Sequence, residues 1–409
     1  VLAESPRALH VLGVKAQPGR LAIVMSGGGA RAAYQVGLLQ VLAKHRPELE
    51  LDILTGVSAG AINAAHLAAH PGSFAEATSA LGALWLSLST EQVFRTDWFS
   101  LFGHVLRSAA LLISGGRRIP GRPRGMVDNQ PLREFLYGAL GADPADGALT
   151  GIRANLARGR LRAVAVTTSS YSAGTSVTWV EGEQILPWTR SHRLGVSCQL
   201  NVEHVMASTS LPLFFPSVAL DGQWHGDGGI RLSAPLSPAV HLGAQRIIAI
   251  STRHRSGSSP SAHAPMIDGY PPPAQIAGSL VNALFLDLLD GDALRLVRIN
   301  ELLAQLPGER RDGLRPVDIL LFRPSRDLGA LANEYEPQLP RGFRFLTRGL
   351  GTRQTRSNDF LSIVMFQRDY LKHLIELGRA DAETRLDELL AFVDDRLDPA
   401  ARAEPGSRL

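Results

Sequence analysis

The chain has 409 residues, 45% of them hydrophobic and 20% charged, which describes an ordinary globular protein with apolar material for a large core and excludes a disordered one. Its 42 basic and 38 acidic side chains leave a net charge of +4, too mild an excess to mark a nucleic-acid partner. The lone cysteine, Cys198, excludes an intramolecular disulfide and fits a reducing, cytoplasmic compartment. No run of about eighteen apolar residues and no clustered metal-ligand motif occurs, so neither a membrane span nor a metal or other cofactor is expected.

Residues 1–18 carry no signal-peptide pattern and read as an N-terminal extension. The chain opens on Val1 rather than methionine, and an upstream segment is expected to have preceded it. Strand Leu21–Met25, helix Ala30–Lys44, strand Leu51–Leu54 and helix Ala59–Ala69 form a βαβα start, which predicts parallel strands. A further helix is predicted over Phe74–Leu88. Residues 90–130 are irregular and read as a cap or insertion. Strands follow at Leu161–Ser169 and Ser176–Glu181 around the turn Ser172-Ala173-Gly174, then a helix at Val202–Ser208, a turn at Asp221-Gly222 and a buried strand at Arg246–Ser251. A catalytic domain over 19–255 is thus expected to lead, through a loop at 256–273 rich in Ser, His and Pro, into a mainly helical extension over 274–409. In that extension Ala274–Leu306 reads as one long helix with apolar positions at helical spacing, among them Leu284, Leu288, Leu294 and Ile299, Val317–Phe322 as a strand, and Phe360–Leu377 and Ala382–Val393 as packed helices, with Asp394-Asp395 a solvated helix end.

Three glycine-framed motifs carry the chemistry. Ser26-Gly27-Gly28-Gly29-Ala30-Arg31 follows the first strand, Gly56-Val57-Ser58-Ala59-Gly60 ends the second, and Gly226-Asp227-Gly228-Gly229 lies far downstream. A serine on a tight strand-to-helix turn has its hydroxyl pushed outward, with free helix N–H groups and the positive end of a dipole close by. The glycine run admits two readings. As phosphate chemistry it fits a loose dinucleotide fingerprint, but Thr55-Gly56 stands where the ribose-binding acid would be. As acyl chemistry its successive N–H groups can converge on a developing oxyanion.

A serine hydroxyl needs a base within hydrogen-bond reach. Asp227 is the candidate, provided its site is partly desolvated, because an ordinary aspartate is a weak base at neutral pH. The competing arrangement is a Ser–Asp–His triad using His225, His241 or His254. Against it, a single strand precedes the strand of the serine turn, whereas the ordinary hydrolase fold places several there.

The ordered set Gly27-Gly28-Gly29-Ala30-Arg31, Gly56-Val57-Ser58-Ala59-Gly60 and Asp227-Gly228-Gly229 resembles the patatin-like phospholipase family. Val127-Asp128-Asn129-Gln130-Pro131-Leu132 and Ala207–Pro216 extend the resemblance over about residues 20 to 255, and Pro324-Ser325-Arg326-Asp327 resembles part of the extension of bacterial members. The resemblance implies a three-layer α/β sandwich with a mostly parallel central sheet and added C-terminal helices. It also implies hydrolysis of lipid acyl esters through a dyad of Ser58 as nucleophile and Asp227 as base, with Gly27, Gly28 and Gly29 as the oxyanion hole. Arg31, followed here by Ala32 rather than the family's frequent glycine, is left as support for an anion or the oxyanion. A lipid-binding protein with a weakened site is the non-enzymatic alternative.

Trp98, Phe99, Phe102, Val105, Leu106, Ala109, Leu112 and Ile113 recur at helical spacing and precede Arg117, Arg118, Arg122 and Arg124. An apolar face beside a basic cluster suits peripheral contact with an anionic membrane surface; packing of the same face on the core is the alternative.

Overall fold

The computed structural model of the chain describes residues 20–94, 125, 127–254, 272–283, 288–340, 344, 348 and 357–395. Residues 1–18, the expected loop over 256–273 except its last two residues, and the apolar and arginine-rich stretch from Trp98 to Arg124 lie outside the described residues, as does Leu284.

The ten strands of the sheet are β1 (Leu21–Met25), β2 (Leu51–Val57), β3 (Leu161–Ser170), β4 (Thr175–Gly182), β5 (Trp188–Arg190), β6 (Arg193–Ser197), β7 (Val218–Leu220), β8 (Gln223–Asp227), β9 (Arg246–Ile250) and β10 (Asp318–Phe322). The first helices are α1 (Ala33–His45), α2 (Ala59–Ala69), α3 (Phe74–Ser87), α4 (Thr90–Val93), α5 (Gln130–Ala139), α6 (Thr150–Ala157), α7 (Val202–Ser208) and α8 (Ser237–His241). The C-terminal half adds α9 (Pro273–Val281), α10 (Leu288–Ala304), α11 (Leu328–Tyr335), α12 (Asp359–Val364), α13 (Arg368–Thr384) and α14 (Leu386–Val393).

The sheet runs β10-β9-β1-β2-β3-β4-β6-β5, with β8 also beside β3 and β7 beside β8. From β10 to β3 every pairing is parallel, and β4 is antiparallel to β3. Every residue of β1 is buried, as a parallel strand covered on both faces requires. Leu21, Ile23 and Met25 join the core formed with α1, α2, α3 and α13. Ala22 and Val24 face the other way, toward Ala239 of α8 and Leu289 and Ala293 of α10. The result is a helix–sheet–helix sandwich.

The C-terminal extension completes this sandwich. β10 lengthens the parallel sheet beside β9. α13 crosses α1 backbone to backbone: a Cβ at Gly37 would stand 2.0 Å from Ile375 O, and one at Gly378 2.0 Å from Tyr34 O. Asp327 caps α11, accepting from the N–H groups of Gly329 and Ala330 at 2.8 and 3.1 Å.

Several expectations shift. Of the helix expected over Ala274–Leu306, the described residues carry α9 and α10, with 284–287 outside them; Leu294 and Ile299 face solvent while Leu289, Ala293 and Leu303 are buried. Apolar side chains lie on both sides of α10, and the side carrying small Ala293 is the one packed against the sheet. The helix predicted over Phe360–Leu377 is interrupted at Met365–Gln367, between α12 and α13. Asp394 is no solvated end, since Arg46 Nε donates to its Oδ1 at 2.8 Å.

Candidate active site

β2 delivers Ser58. The strand ends at Val57 and α2 begins at Ala59, so Ser58 alone makes the turn, at φ 55° and ψ −132°. That backbone region ordinarily belongs to glycine, and a serine there is strained. The surroundings hold it in place. Ser58 N–H donates to Ser208 Oγ at 2.9 Å, and Ser208 Oγ donates to Thr167 O at 2.7 Å. Strand and helix press together at the bend, where a Cβ on Gly56 would meet Gly60 O at 2.3 Å.

Asp227 reaches the same place by strand pairing. β2 lies along β3 with Val57 opposite Thr167, where β2 ends. β8 arrives from the opposite direction on that side of β3 and places Asp227 opposite Thr168. Thr167 and Thr168 are consecutive, so the two strands meet end to end, with Ser58 at one tip and Asp227 at the other. Asp221 and Gly222, both at positive φ, make the turn between β7 and β8 that aims the second strand.

Asp227 is fully buried. Its Oδ1 accepts from Gly229 N–H at 2.9 Å and its own N–H donates to Ser210 O at 2.9 Å. Burial raises its pKa from 3.8 to about 7; the Ser58 hydroxyl and the Gly229 N–H oppose the shift without cancelling it. The hydroxyl is near enough to favour the carboxylate, yet Oδ2 has no aligned hydrogen bond and is left unpartnered. A carboxylate with one free oxygen and a pKa near neutrality has the properties of a general base.

The glycine loop passes directly over Ser58. A Cβ on Gly27 would stand 2.8 Å from Ser58 Cβ, and Gly28 and Gly29 have φ of 142° and 55°. Among the described residues the N–H groups of Gly27, Gly28 and Gly29 find no acceptor. The segment Gly29–Ala32 is a 3₁₀ turn, and the α-helix starts at Ala33 rather than at Ala30. Arg31 is buried with its guanidinium engaged elsewhere: Nε donates to Ser362 Oγ at 2.6 Å and Nη2 to Asp359 Oδ1 at 2.5 Å, which ties the loop to α12.

An apolar slot of about 50 Å³ opens on Ser58 and Gly29, walled by Ile62, Trp85, Leu211, Phe215, Ile363 and Phe366. A larger cavity of about 180 Å³, lined by His70, Asn155 and Arg160, also touches Leu51 at the far end of β2, away from this chemistry.

The profile of the patatin-like phospholipase family matches residues 23–240, more than half of the chain. The chain belongs to that family. No curated protein matches it significantly in sequence. Among solved structures, human GIVD cytosolic phospholipase A2 in complex with methyl gamma-linolenyl fluorophosphonate is similar at 15% identity and a TM-score of 0.45, over 93% of this chain and 60% of that one. VipD from Legionella pneumophila is similar at 13% identity and a TM-score of 0.33, over 93% and 78% of the two chains. The type III effector protein ExoU is similar at 15% identity and 0.34, over 95% and 61%. The chain thus spans about 60% of the length of the human enzyme.

The three histidines that could have completed a triad in this family member have other partners. His225 Nδ1 lies 3.0 Å from Thr168 Oγ1, His241 stacks on Trp188, and His254 Nδ1 is 2.9 Å from Pro324 O. Among the described residues no group of three His, Cys, Asp or Glu could hold a metal ion, and no helix is long and apolar enough to cross a membrane. Sequence reasoning missed Ser208 as the partner of the turn and Asp359 as the partner of Arg31. Ser208 sits inside the recognisable Ala207–Pro216 segment, but Asp359 follows Arg31 by 328 positions and no local pattern announces it.

Proposed function

We propose that this protein hydrolyses fatty-acyl esters of lipids through a dyad of Ser58 and Asp227. Family membership supports a lipid-ester hydrolase. The observation that carries the finer reading is the end-to-end meeting of β2 and β8 on β3, which places Ser58 beside a buried carboxylate with a free oxygen.

In this mechanism the ionised Asp227 takes the proton of Ser58 Oγ as the oxygen bonds to the ester carbonyl carbon. Negative charge gathers on the former carbonyl oxygen and is met by the N–H groups of Gly27, Gly28 and Gly29. Collapse breaks the bond to the alcohol, which leaves with the proton held by Asp227. Water then attacks the acyl-enzyme, Asp227 accepts a proton from it, and that proton returns to Ser58 Oγ as the fatty acid departs. Desolvation serves this cycle, because a carboxylate titrating at about 7 is a stronger base than one at 3.8.

The apolar slot takes the acyl chain. Its volume of about 50 Å³ is far below the roughly 300–1,000 Å³ of ordinary ligand pockets. A fatty-acyl tail therefore enters as the walls around Phe215 and Phe366 part.

A fluorophosphonate bearing a fluorescent tag tests the proposal, since only an activated serine reacts with it. Wild-type protein is expected to label, and Ser58→Ala to lose both labelling and ester hydrolysis while keeping its thermal stability. Undiminished labelling or turnover in a folded Ser58→Ala protein would remove Ser58 from the mechanism.

A further inference from the structure

Three consecutive glycines make a poor scaffold for an oxyanion hole. Each has wide backbone freedom, and a donor contributes fully only when it is already aimed before charge develops. Something outside the loop must fix these peptides. In a planar trans peptide the C=O and the following N–H point in opposite directions. Holding the carbonyl end of a peptide therefore aims its N–H.

All three carbonyls are held. Gln35 Nε2 donates to Ser26 O at 2.8 Å, which fixes the peptide bearing Gly27 N–H. Thr252 Oγ1 donates to Gly27 O at 2.5 Å, which fixes the peptide bearing Gly28 N–H. Arg31 N–H donates to Gly28 O at 3.1 Å, which fixes the peptide bearing Gly29 N–H. We propose that Thr252 and Gln35 are positioning residues of the oxyanion hole, aiming the N–H groups of Gly28 and Gly27 by gripping the far ends of their peptides. The inference rests on the Ser58–Asp227 reading of the site.

Both side chains are fully buried, and both are themselves constrained. Thr252 lies just past the end of β9, with its N–H on Ser26 Oγ at 3.2 Å, and Ser26 Oγ donates to Ile250 O at 3.1 Å. A Cβ at Gly28 would come within 2.5 Å of Thr252 Oγ1, so the loop rests directly on this hydroxyl. Gln35 belongs to a relay whose polarity is set from one end. Trp85 Nε1 can only donate, and it does so to Asn63 Oδ1 at 2.7 Å. Asn63 Nδ2 must then donate, to Gln35 Oε1 at 2.9 Å, which turns Gln35 Nε2 toward Ser26 O. Because Trp85 also walls the apolar slot, the relay runs from the acyl-binding wall to the oxyanion loop. Thr252 lies beyond residue 240, where the family match ends, so the family pattern does not mark it.

The test compares kcat, KM and melting temperature of Thr252→Val, Thr252→Ser, Gln35→Met and Ser58→Ala with wild type, using p-nitrophenyl butyrate. Valine keeps the shape of threonine and removes the donor. Thr252→Val is expected to lose about 10- to 100-fold in kcat with KM within about twofold, because a misaimed donor fails only in the transition state. Thr252→Ser, which keeps the hydroxyl, is expected to recover kcat to within about threefold of wild type. Gln35→Met is expected to show the same kcat-only loss, and it decides the matter alone if Thr252→Val does not fold. Folded Thr252→Val or Gln35→Met with wild-type kcat overturns the inference. So does a loss carried by KM, or one that serine fails to restore. If Ser58→Ala stays active, the underlying mechanism fails whatever Thr252 does. If Ser58→Ala is dead and Thr252→Val is normal, only the positioning role falls.

Discussion

Replacing Asp227 by Asn should make the protein inactive and more stable at once, with a stability gain that depends on pH. The native pKa of about 7 lies above the unfolded value near 3.8. Below pH about 4 the carboxyl is protonated in both states and costs nothing. Between about 4 and 7 the unfolded chain releases the proton while the native state retains it, so native stability falls by about 1.4 kcal/mol per pH unit. Above about 7 both states are ionised and the penalty levels off at about 4 kcal/mol, the product of that slope and the roughly three-unit gap. Asparagine does not titrate, and its side-chain oxygen can still accept from Gly229 N–H. The expected gain of Asp227→Asn is therefore about 1 to 2 kcal/mol at pH 5 and up to about 4 kcal/mol at pH 8. For a chain of this length, with an unfolding entropy of about 0.9 kcal/mol per kelvin, the larger figure corresponds to about 4 to 5 °C. Calorimetric melting of both proteins at the two pH values measures it. Ester hydrolysis by the variant should drop by at least about a thousandfold, and kcat/KM of the wild type should rise with pH and flatten above about 7. Equal melting-temperature differences at pH 5 and pH 8 would refute the claim that Asp227 is held protonated by burial.

Ser58→Gly should likewise trade activity for stability. Glycine occupies φ 55°, ψ −132° without strain, so the variant should gain about 1 to 2 kcal/mol over Ser58→Ala in urea unfolding; a variant no more stable than Ser58→Ala would show that the turn stores no strain. Cys198 offers a contrast with Ser58. Its Sγ lies 3.9 Å from His204 Nε2, and His204 Nδ1 lies 2.7 Å from Asn201 Oδ1, which outwardly resembles a nucleophile, a base and an orienting group. Burial, aided by Glu181 and Asp221, pushes the thiol up to about 12, and burial brings His204 down to about 4. Native protein at pH 7.5 should react with iodoacetamide far more slowly than protein in urea; stoichiometric labelling of the native state within minutes would contradict this.

The parts of the fold that could be read from sequence are those whose signals are local. Leu21–Met25 reads as a buried parallel strand because it is apolar throughout, and Ser58 reads as a turn because glycines flank it between a strand and a small-residue helix. Asp221-Gly222 is a turn in sequence and in space. Strand pairing is a different kind of information. Nothing near Asp227 in the chain says that β8 enters the sheet on the same side of β3 as β2, and only that shared side brings it to Ser58. Spacing alone does not orient α10: Leu294 and Ile299 recur at helical intervals yet face solvent, while the small Ala293 packs against the sheet. Thr252, Gln35 and Asp359 carry no sequence signal for a related reason. Each is an ordinary polar residue whose role depends on a partner brought close by the fold.

β3 acts as a ruler for the candidate site. The spacing between Ser58 and Asp227 is not set by the chain that joins them but by which rungs of one ladder their strands occupy. A ladder admits only whole steps of about 3.3 Å, so the spacing is digital: correct, or wrong by a full residue with the side chains facing the opposite way. Intervening segments can then lengthen, shorten or be exchanged without detuning the pair, provided β2 and β8 find their rungs. What those segments vary is thereby separated from the register of the pair, though not from Trp85, Ser208 and Ser210, whose hydrogen bonds steady the oxyanion loop and both strand tips.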